Sequence, residues 1–231
     1  MKYNHMKTSI MAAVLLAGAA FTTHTYAGSL DFGLDSEFSG TFFPGPTVPW
    51  LSASFVDTAP NTVQLTLSAT SLYPTAYVSE WDFNFNPAAN LSALTITPTI
   101  GGVGIVAAPT ITKSTDSILL DTTGGDADIQ MKFLNNDFTA GESIVFNITG
   151  IAGLNSSFFN YASVNSTTGP WYTAAQAVVP CPTCGGFSLA WIGDCTSTPN
   201  NTPEPATMAI LGSFIAFGVY LKRRNGQSVK A

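Results

Sequence analysis

The sequence predicts an all-β protein, an antiparallel β-sandwich with jelly-roll-like connections. Apolar and polar residues alternate with a period of two over most of the chain. Turn-forming clusters such as NPAAN at 86–90 and TTGGDAD at 122–128 separate the alternating segments. No long apolar stripe at helical spacing and no repeat of fixed period occurs between them. About eight to ten short strands at this spacing are typical of a sandwich.

Four segments show the alternation most clearly, and each predicts a strand. They are VQLTLSAT at 63–70, YVSEWDFNF at 77–85, DIQMKFL at 128–134 and SIVFNIT at 143–149. Successive side chains of a strand point to opposite faces, so every second residue is expected in the core. The predicted core residues are Val63, Leu65, Leu67, Ala69, Tyr77, Trp81, Phe83, Phe85, Ile129, Met131, Phe133, Ile144, Phe146 and Ile148.

The first 27 residues have the three parts of a secretory signal peptide. Lys2 and Lys7 precede an apolar run at 10–21, and the small-residue cleavage site TYA follows at 25–27. Twelve apolar residues are too few to span a bilayer, which needs about 20. The sequence therefore predicts export of the segment that begins at Gly28.

The other end carries a second apolar run, at 206–221, followed directly by Lys222, Arg223 and Arg224. As a helix of about 1.5 Å per residue it would be about 24 Å long, and its flanking bases could make up part of the bilayer thickness. The positive-inside rule holds those bases in the cytoplasm. We expect a transmembrane helix over 206–221, with the body of the protein in the periplasm.

The residues before this run carry a family resemblance. Pro203-Glu204-Pro205, a Gly-containing apolar run and a final basic cluster, in this order, resemble the PEP-CTERM sorting signal. The resemblance covers 203–231. It implies a Gram-negative bacterium that makes extracellular polysaccharide, and an exosortase, an integral membrane transpeptidase-like enzyme, that processes the tail. The residues it identifies as the sorting signal, and so as substrate, are Pro203, Glu204, Pro205, Lys222, Arg223 and Arg224. A plain membrane anchor is the alternative.

The predicted organisation is a signal peptide at 1–27, a β-sandwich at 28–195, a Ser/Thr/Pro linker at 196–202 and the sorting segment at 203–231. The linker composition is typical of an extended chain, which gives a processing enzyme access to the tripeptide. The resemblance implies that the protein passes the inner membrane, is anchored there transiently, and ends at the cell surface or outside the cell.

The charge of the body excludes several functions. Between Gly28 and Glu204 the chain has two bases, Lys113 and Lys132, against fourteen acids, which gives a net charge of −12, and it has no Arg or His. Nucleic-acid binding needs cations that neutralise phosphates, so it is excluded. Without His, the triads of serine and cysteine hydrolases and histidine metal sites are excluded as well. We expect a non-enzymatic protein.

Three cysteines, Cys181, Cys184 and Cys195, lie in CPTCGGFSLAWIGDC. Export permits disulfides, and a bridge from Cys184 or from Cys181 to Cys195 would close a hairpin. A redox CxxC site is disfavoured because Gly185 and Gly186 oppose the helix that lowers a thiol pKa. Three cysteines cannot all pair, so one thiol is expected to remain free or to bond another molecule.

Two acidic groups are candidates for chemistry. Glu80 and Asp82 share a strand face and could form a glycosidase dyad, but acids on the solvated face of an alternating strand are the ordinary case. Asp121, Asp126 and Asp128 gather oxygen ligands near a Gly turn and are weak calcium candidates, beside the interpretation as a solvated acidic loop. No other cofactor is predicted.

Carbohydrate binding is the alternative function. Trp50, Trp81, Trp171 and Trp191 could stack on sugar rings if their side chains were exposed and bordered a groove. Four buried Trp would indicate a structural role instead, and Trp81 is expected in the core. The sequence thus favours a cell-surface or exopolysaccharide-matrix protein, with a secreted carbohydrate-binding module as the second hypothesis and exopolysaccharide as the expected partner.

Overall fold

A computed structural model describes residues 28–40, 43–99, 107–134, 137–181, 183 and 185–195. They belong to a compact unit that extends from Ala27 to Thr202. None of the helices in these ranges is long and apolar enough to span a bilayer. The predicted signal peptide at 1–27, the predicted linker at 196–202 and the predicted transmembrane helix at 206–221 lie outside the described residues.

The described part of the chain forms two antiparallel sheets. Five strands form one sheet in the order β1-β3-β4-β9-β6, and six form the other in the order β2-β11-β10-β5-β8-β7. The strands are β1 (Ser29–Leu34), β2 (Ser36–Ser39), β3 (Leu51–Ala59), β4 (Thr62–Ser68), β5 (Tyr77–Phe83), β6 (Thr95–Thr99), β7 (Thr110–Leu119), β8 (Asp126–Lys132), β9 (Ser143–Thr149), β10 (Thr173–Cys181) and β11 (Gly186–Asp194). Short 3-10 helices at Leu91–Ala93 and Ser156–Phe159 complete the described elements.

The core lies between the sheets, which confirms the predicted all-β sandwich. Phe55 of β3 meets Phe83 of β5 edge-to-face, with ring centroids 5.3 Å apart, and stacks on Phe159 at 4.3 Å. The predicted inner faces of β4, β8 and β9 are all buried. The apolar side chains of each sheet point to its inner face, where the other sheet covers them. Their removal from water holds the two sheets together.

Tyr77 is an exception, and its predicted core position is wrong. Val78 is fully buried in the core, whereas the Tyr77 ring lies near the exposed Phe187, at 6.4 Å. The reason is a register shift: Gln176 pairs with Glu80, but the next residue of β10 pairs with Val78, so Ser79 is an extra residue in β5. A β-bulge of this kind reverses which alternate residues face inward.

The described ranges contain eleven strands, more than the eight to ten expected. One reason is the segment SLDFGLDSEFS at 29–39: its residues alternate as in a single strand, but it forms two strands. β1 ends at Leu34 and pairs with β3, whereas β2 begins at Ser36 and pairs with β11 of the other sheet. The alternation of apolar and polar residues continues where the chain passes from one sheet to the other, so the pattern alone does not show where the first strand ends.

Candidate binding cleft on the six-stranded sheet

The outer face of the six-stranded sheet carries a row of polar side chains set by strand register. Trp191 of β11 pairs with Gln176 of β10, Gln176 pairs with Glu80 of β5, and Glu80 pairs with Lys132 of β8. Directly paired residues of neighbouring strands point to the same face, about 5 Å apart. Four strands far apart in sequence thus place an indole, an amide, a carboxylate and an ammonium group side by side.

The neighbouring row is smaller and partly covered. Gly193, Ala174, Asp82 and Gln130 are paired in that order across β11, β10, β5 and β8. The Trp171 ring lies over the small end of this row, since a Cβ on Gly193 would stand 2.5 Å from Cε3 of Trp171. The small residues Gly193 and Ala174 therefore leave space for the Trp171 indole.

A cleft of about 610 Å³ lies above these rows. Its lining combines amides, hydroxyls and charged groups with apolar side chains. The lining residues are Glu80, Thr112, Ser114, Ser117, Ile118, Leu119, Asp121, Gln130, Lys132, Gln176 and Trp191. Concave sites that combine an apolar surface with a few placed polar groups are the usual form of small-molecule sites.

The edge strand β7 forms one wall of the cleft through a wide bulge. Lys113 pairs with Ile129 and Ile118 with Ala127, so residues 114–117 stand opposite the single residue Asp128. Asp128 holds this bulge, because its carboxylate accepts from the backbone N–H of Asp116 and from that of Phe85, both at 2.8 Å. The bulge brings two hydroxyls, Ser114 and Ser117, to the cleft and into contact with each other.

Glu80 is held in place by its neighbours on β8. Its Oε1 accepts from the Gln130 amide at 2.5 Å, and its Oε2 lies 3.5 Å from the Lys132 ammonium group. On the other side, Oε1 of Gln176 accepts from the Ser79 hydroxyl at 2.8 Å. The polar side chains of the cleft floor are therefore oriented by strands and by hydrogen bonds.

Asp82 lies beside Glu80, and its burial corrects the prediction of a solvated face. Its side chain has no exposed surface, and neither carboxylate oxygen has a hydrogen-bond partner within the described ranges. Burial raises the pKa of Asp82 well above its usual range, and the negative charge of Glu80 raises that pKa further, while Lys132 lowers it. Taking a carboxylate out of water disfavours its charged form.

The outer face of β5 at Asp82 is covered by side chains from other segments of the chain, which the sequence of β5 itself does not predict. Trp171, Ala174, Trp191 and Ile118 form a second apolar cluster with Leu120 and Ala127, against which Phe38 packs. Asn84, next on the same face, is also buried and donates to the Trp171 carbonyl at 2.9 Å. Asp82 does not line the cleft, so Glu80 and Asp82 are not a pair of carboxyls open to a substrate.

The calcium candidates are not brought together. Within the described ranges, no group of three or more acids, cysteines or histidines is placed to hold a metal ion. Asp121 lines the cleft, Asp126 accepts from the Asn165 amide at 2.8 Å, and Asp128 accepts from two backbone amides. Burial raises the pKa of Asp128, and its two backbone hydrogen bonds counteract that effect. Calcium here stays a prediction without a ligand cluster.

The predicted bridge to Cys195 is not formed. Cys195 is a free, exposed thiol, whereas Cys181 takes part in a disulfide; Cys184 lies outside the described residues. The physical reason is the hairpin itself: Cys181 pairs with Gly186 at the start of β11, and Cys195 follows its far end. Nine strand residues span about 30 Å, whereas a disulfide needs Cα atoms within about 7 Å.

All four Trp are buried, with 7% exposure at most. The Trp81 indole donates to the Thr173 hydroxyl at 2.9 Å, and the Trp50 indole donates to the Gly45 carbonyl at 3.1 Å. Trp81 is in the core, as predicted. Of the four, Trp191 alone lines the cleft, so an exposed platform of stacked Trp is not present in the described part of the molecule.

The residues of the sorting signal, Pro203, Glu204, Pro205, Lys222, Arg223 and Arg224, lie outside the described residues. Comparison with known proteins adds no relative: no protein-family model, no curated protein and no solved structure matches this chain. The resemblance of the tail stays a prediction from the sequence.

Most residues of the cleft could not be predicted from the sequence. Gln130, Gln176 and Lys132 are ordinary residues on the polar side of alternating strands, and nothing local distinguishes them. The signal lies in the register, which pairs residues 96 positions apart in the case of Glu80 and Gln176. Pairing over that distance is a property of the folded sheet.

Proposed function

We propose that this chain is an exported, non-enzymatic protein of the cell surface or the exopolysaccharide matrix, and that an exosortase processes its C-terminal tail. The observation that carries the proposal is the order of the tail: Pro203-Glu204-Pro205, the apolar run 206–221 and the basic cluster 222–224. The same proposal includes a signal helix before the sandwich, a transmembrane helix after it and jelly-roll-like connections within it.

The chemistry of the body supports a non-enzymatic role. Segment 28–204 has neither His nor Arg, so the usual general base and the usual anion clamp are lacking. The one acidic pair predicted as a catalytic candidate has a member, Asp82, that is fully buried. A carboxyl acts on a substrate only when it reaches the reacting atom, within about 3 Å.

The proposed path through the cell follows from the two ends. The N-terminal signal directs the chain across the inner membrane of a Gram-negative bacterium, and helix 206–221 holds it there transiently. Cleavage near the tripeptide then releases or transfers the sandwich to the surface. Pro203, Glu204 and Pro205 act as substrate in this scheme.

Mass spectrometry of the mature protein from a polysaccharide-producing host tests the proposal. We expect a chain that starts at Gly28 and lacks the residues after the tripeptide. Glu204→Ala should leave the tail uncut, because it changes the recognised tripeptide. Pro199→Ala, in the adjacent linker, is the matched control and should be processed normally. A natural chain that still ends at Ala231 would contradict sorting and indicate a plain membrane anchor.

Carbohydrate binding is the second candidate function, and the cleft is the observation that favours it. The exposed Trp platform on which that hypothesis depended is absent from the described residues. The polar row of Glu80, Gln176 and Lys132 provides a different basis for it.

A further inference from the structure

We propose that the cleft on the outer face of the six-stranded sheet is a binding site for an uncharged saccharide chain. The proposal deepens the proposed function and rests on it in one respect, since location in an exopolysaccharide matrix supplies the ligand. The ligand class itself is argued from the residues that line the cleft.

The floor of the cleft offers hydrogen-bonding groups of both kinds. The Glu80 carboxylate accepts, the amides of Gln130 and Gln176 donate and accept, and the hydroxyls of Ser114 and Ser117 do either. A sugar hydroxyl is likewise both donor and acceptor, so it needs such mixed partners. A surface of acceptors alone would suit a cation instead.

Apolar side chains complete the lining of the site. Ile118 and Leu119 of β7 and Trp191 of β11 line the same cleft, and Leu119 is 58% exposed. A pyranose ring carries C–H groups on its faces and hydroxyls at its rim, so it matches a site in which apolar side chains border polar ones. Exposed Leu side chains are unremarkable singly, but here the apolar residues border a row of amides.

The charge of the site favours an uncharged ligand. The one cation of the lining, Lys132, lies 3.5 Å from the Glu80 carboxylate, and the third charged group of the lining, Asp121, is acidic, so the lining offers no unpaired cation to an anionic ligand. Segment 28–204 as a whole carries a net charge of −12 and repels polyanions such as polyuronates or nucleic acids. Neutral glycans meet no such barrier.

The polar groups are positioned before a ligand arrives. Glu80 is held by Gln130 at 2.5 Å and Gln176 by Ser79 at 2.8 Å, and all four residues lie on adjacent strands. The Asp128 carboxylate accepts from the backbone N–H of Asp116 in β7 and from that of Phe85, which follows β5, and so fixes the β7 wall to the rest of the sheet. Preorganisation of this kind lowers the entropy that binding would otherwise cost.

The test is calorimetric titration of the full chain, purified in a detergent without a sugar headgroup. The probes are neutral hexasaccharides, namely cellohexaose, maltohexaose and xylohexaose, with hexagalacturonate as the anionic counterpart. We expect at least one neutral probe to bind with a Kd on the order of 1 mM or tighter, and hexagalacturonate to bind more weakly.

Two cleft variants and one matched control assign the binding to the site. Gln176→Ala and Glu80→Gln should each raise the Kd about tenfold, the usual effect of losing one or two hydrogen bonds to a ligand. Gln64→Ala, also a half-buried Gln on an outward position but on β4 of the other sheet, should leave the Kd unchanged.

The proposal is overturned if none of the neutral probes binds, if the anionic probe binds more tightly, or if the Gln64→Ala variant loses as much affinity as the Gln176→Ala variant. Such a result would leave the proposed sorting untouched, because tail processing is measured separately by mass. Conversely, an uncut tail would contradict sorting but would not change the saccharide affinity measured by titration.

Discussion

Asp82 is a carboxyl group placed where water does not reach. It lies on the outer face of β5 between Ala174 and Gln130, with no exposed surface. The charged groups that face it are Glu80, which raises its pKa, and Lys132, which lowers it, but burial is the largest cause of the shift. The charged form of Asp82 is therefore destabilised in the folded chain relative to the unfolded chain.

The sign of the pH dependence follows from that shift. Between the unfolded-state pKa of about 3.9 and the higher folded-state pKa, the folded chain binds more protons than the unfolded chain. The free energy of unfolding should therefore fall as the pH rises through this window, by about 1.4 kcal/mol for each unit of raised pKa. Asp82→Asn removes the effect, so the variant should be more stable than the natural chain at pH 7 to 8, as measured by urea denaturation.

Near pH 4 the stability difference between the Asp82→Asn variant and the natural chain should shrink, because Asp82 then keeps its proton in the folded chain and is about half protonated in the unfolded chain. Asp31→Asn, at an exposed position of β1, is the control and should follow the pH dependence of the natural chain. An Asp82→Asn variant that loses stability equally at every pH would contradict the assignment of a charge cost to this residue.

At the scale of elements, the hairpin of β7 and β8 builds one wall of the cleft. Its turn is closed by Leu120 N–H donating to the Gly125 carbonyl at 2.8 Å. Gly125 has φ of +86°, and a Cβ there would stand 2.2 Å from the Val164 carbonyl oxygen. The next residue, Asp126, donates its N–H to that same oxygen at 2.8 Å. The hairpin is thus docked on the loop at Val164, and Gly125 permits the approach.

Gly125→Ala should destabilise the fold through both strain and collision. Gly141 has nearly the same φ, +83°, but nothing lies within 4 Å of its missing Cβ. Gly141→Ala therefore measures strain alone, about 1–2 kcal/mol, and Gly125→Ala should cost clearly more in chemical denaturation. Equal losses at the two positions would show that the contact with Val164 does not constrain the turn.

At the scale of the whole molecule, the β10–β11 hairpin separates the cysteines. Cys181 lies at its turn end, and Cys195 follows Asp194, which pairs with Thr173 at the other end. Strand length thus keeps the exposed Cys195 thiol away from the disulfide of Cys181. Among the described residues, Cys195 thus presents an exposed thiol where the chain leaves its last described strand.

Alkylation of the folded, unreduced chain followed by peptide mapping should label Cys195 and leave Cys181 unlabelled. Reduction in denaturant before alkylation should add the label on Cys181, because its disulfide is then opened. Cys195→Ser should abolish the native label without loss of stability, since the residue is exposed and unpaired. Recovery of a peptide that links Cys181 to Cys195 would contradict the structure.

The alternation of apolar residues determined the fold class by itself. Val63, Leu65 and Leu67 are fully buried on β4, as are Phe146 and Ile148 on β9, because a strand turns every second side chain the same way and water excludes the apolar set. The predictions of a signal peptide, a membrane helix and a sorting signal likewise come from short stretches at the two ends, and they stay predictions. A pattern of alternating residues lies within a short stretch of chain, so the linear sequence contains it in full.

The tertiary structure alone decided which outer-face residues became buried or came together. The extra residue Ser79 placed Val78 rather than Tyr77 in the core, and Trp171 together with Ile118 covered the face that holds Asp82. The cleft joins Glu80 to Gln176 because β5 pairs with β10 across almost a hundred residues. The register of paired strands and the covering of a sheet face by other side chains both depend on the packing of segments distant in sequence. The residue pattern of any one strand is compatible with several such arrangements.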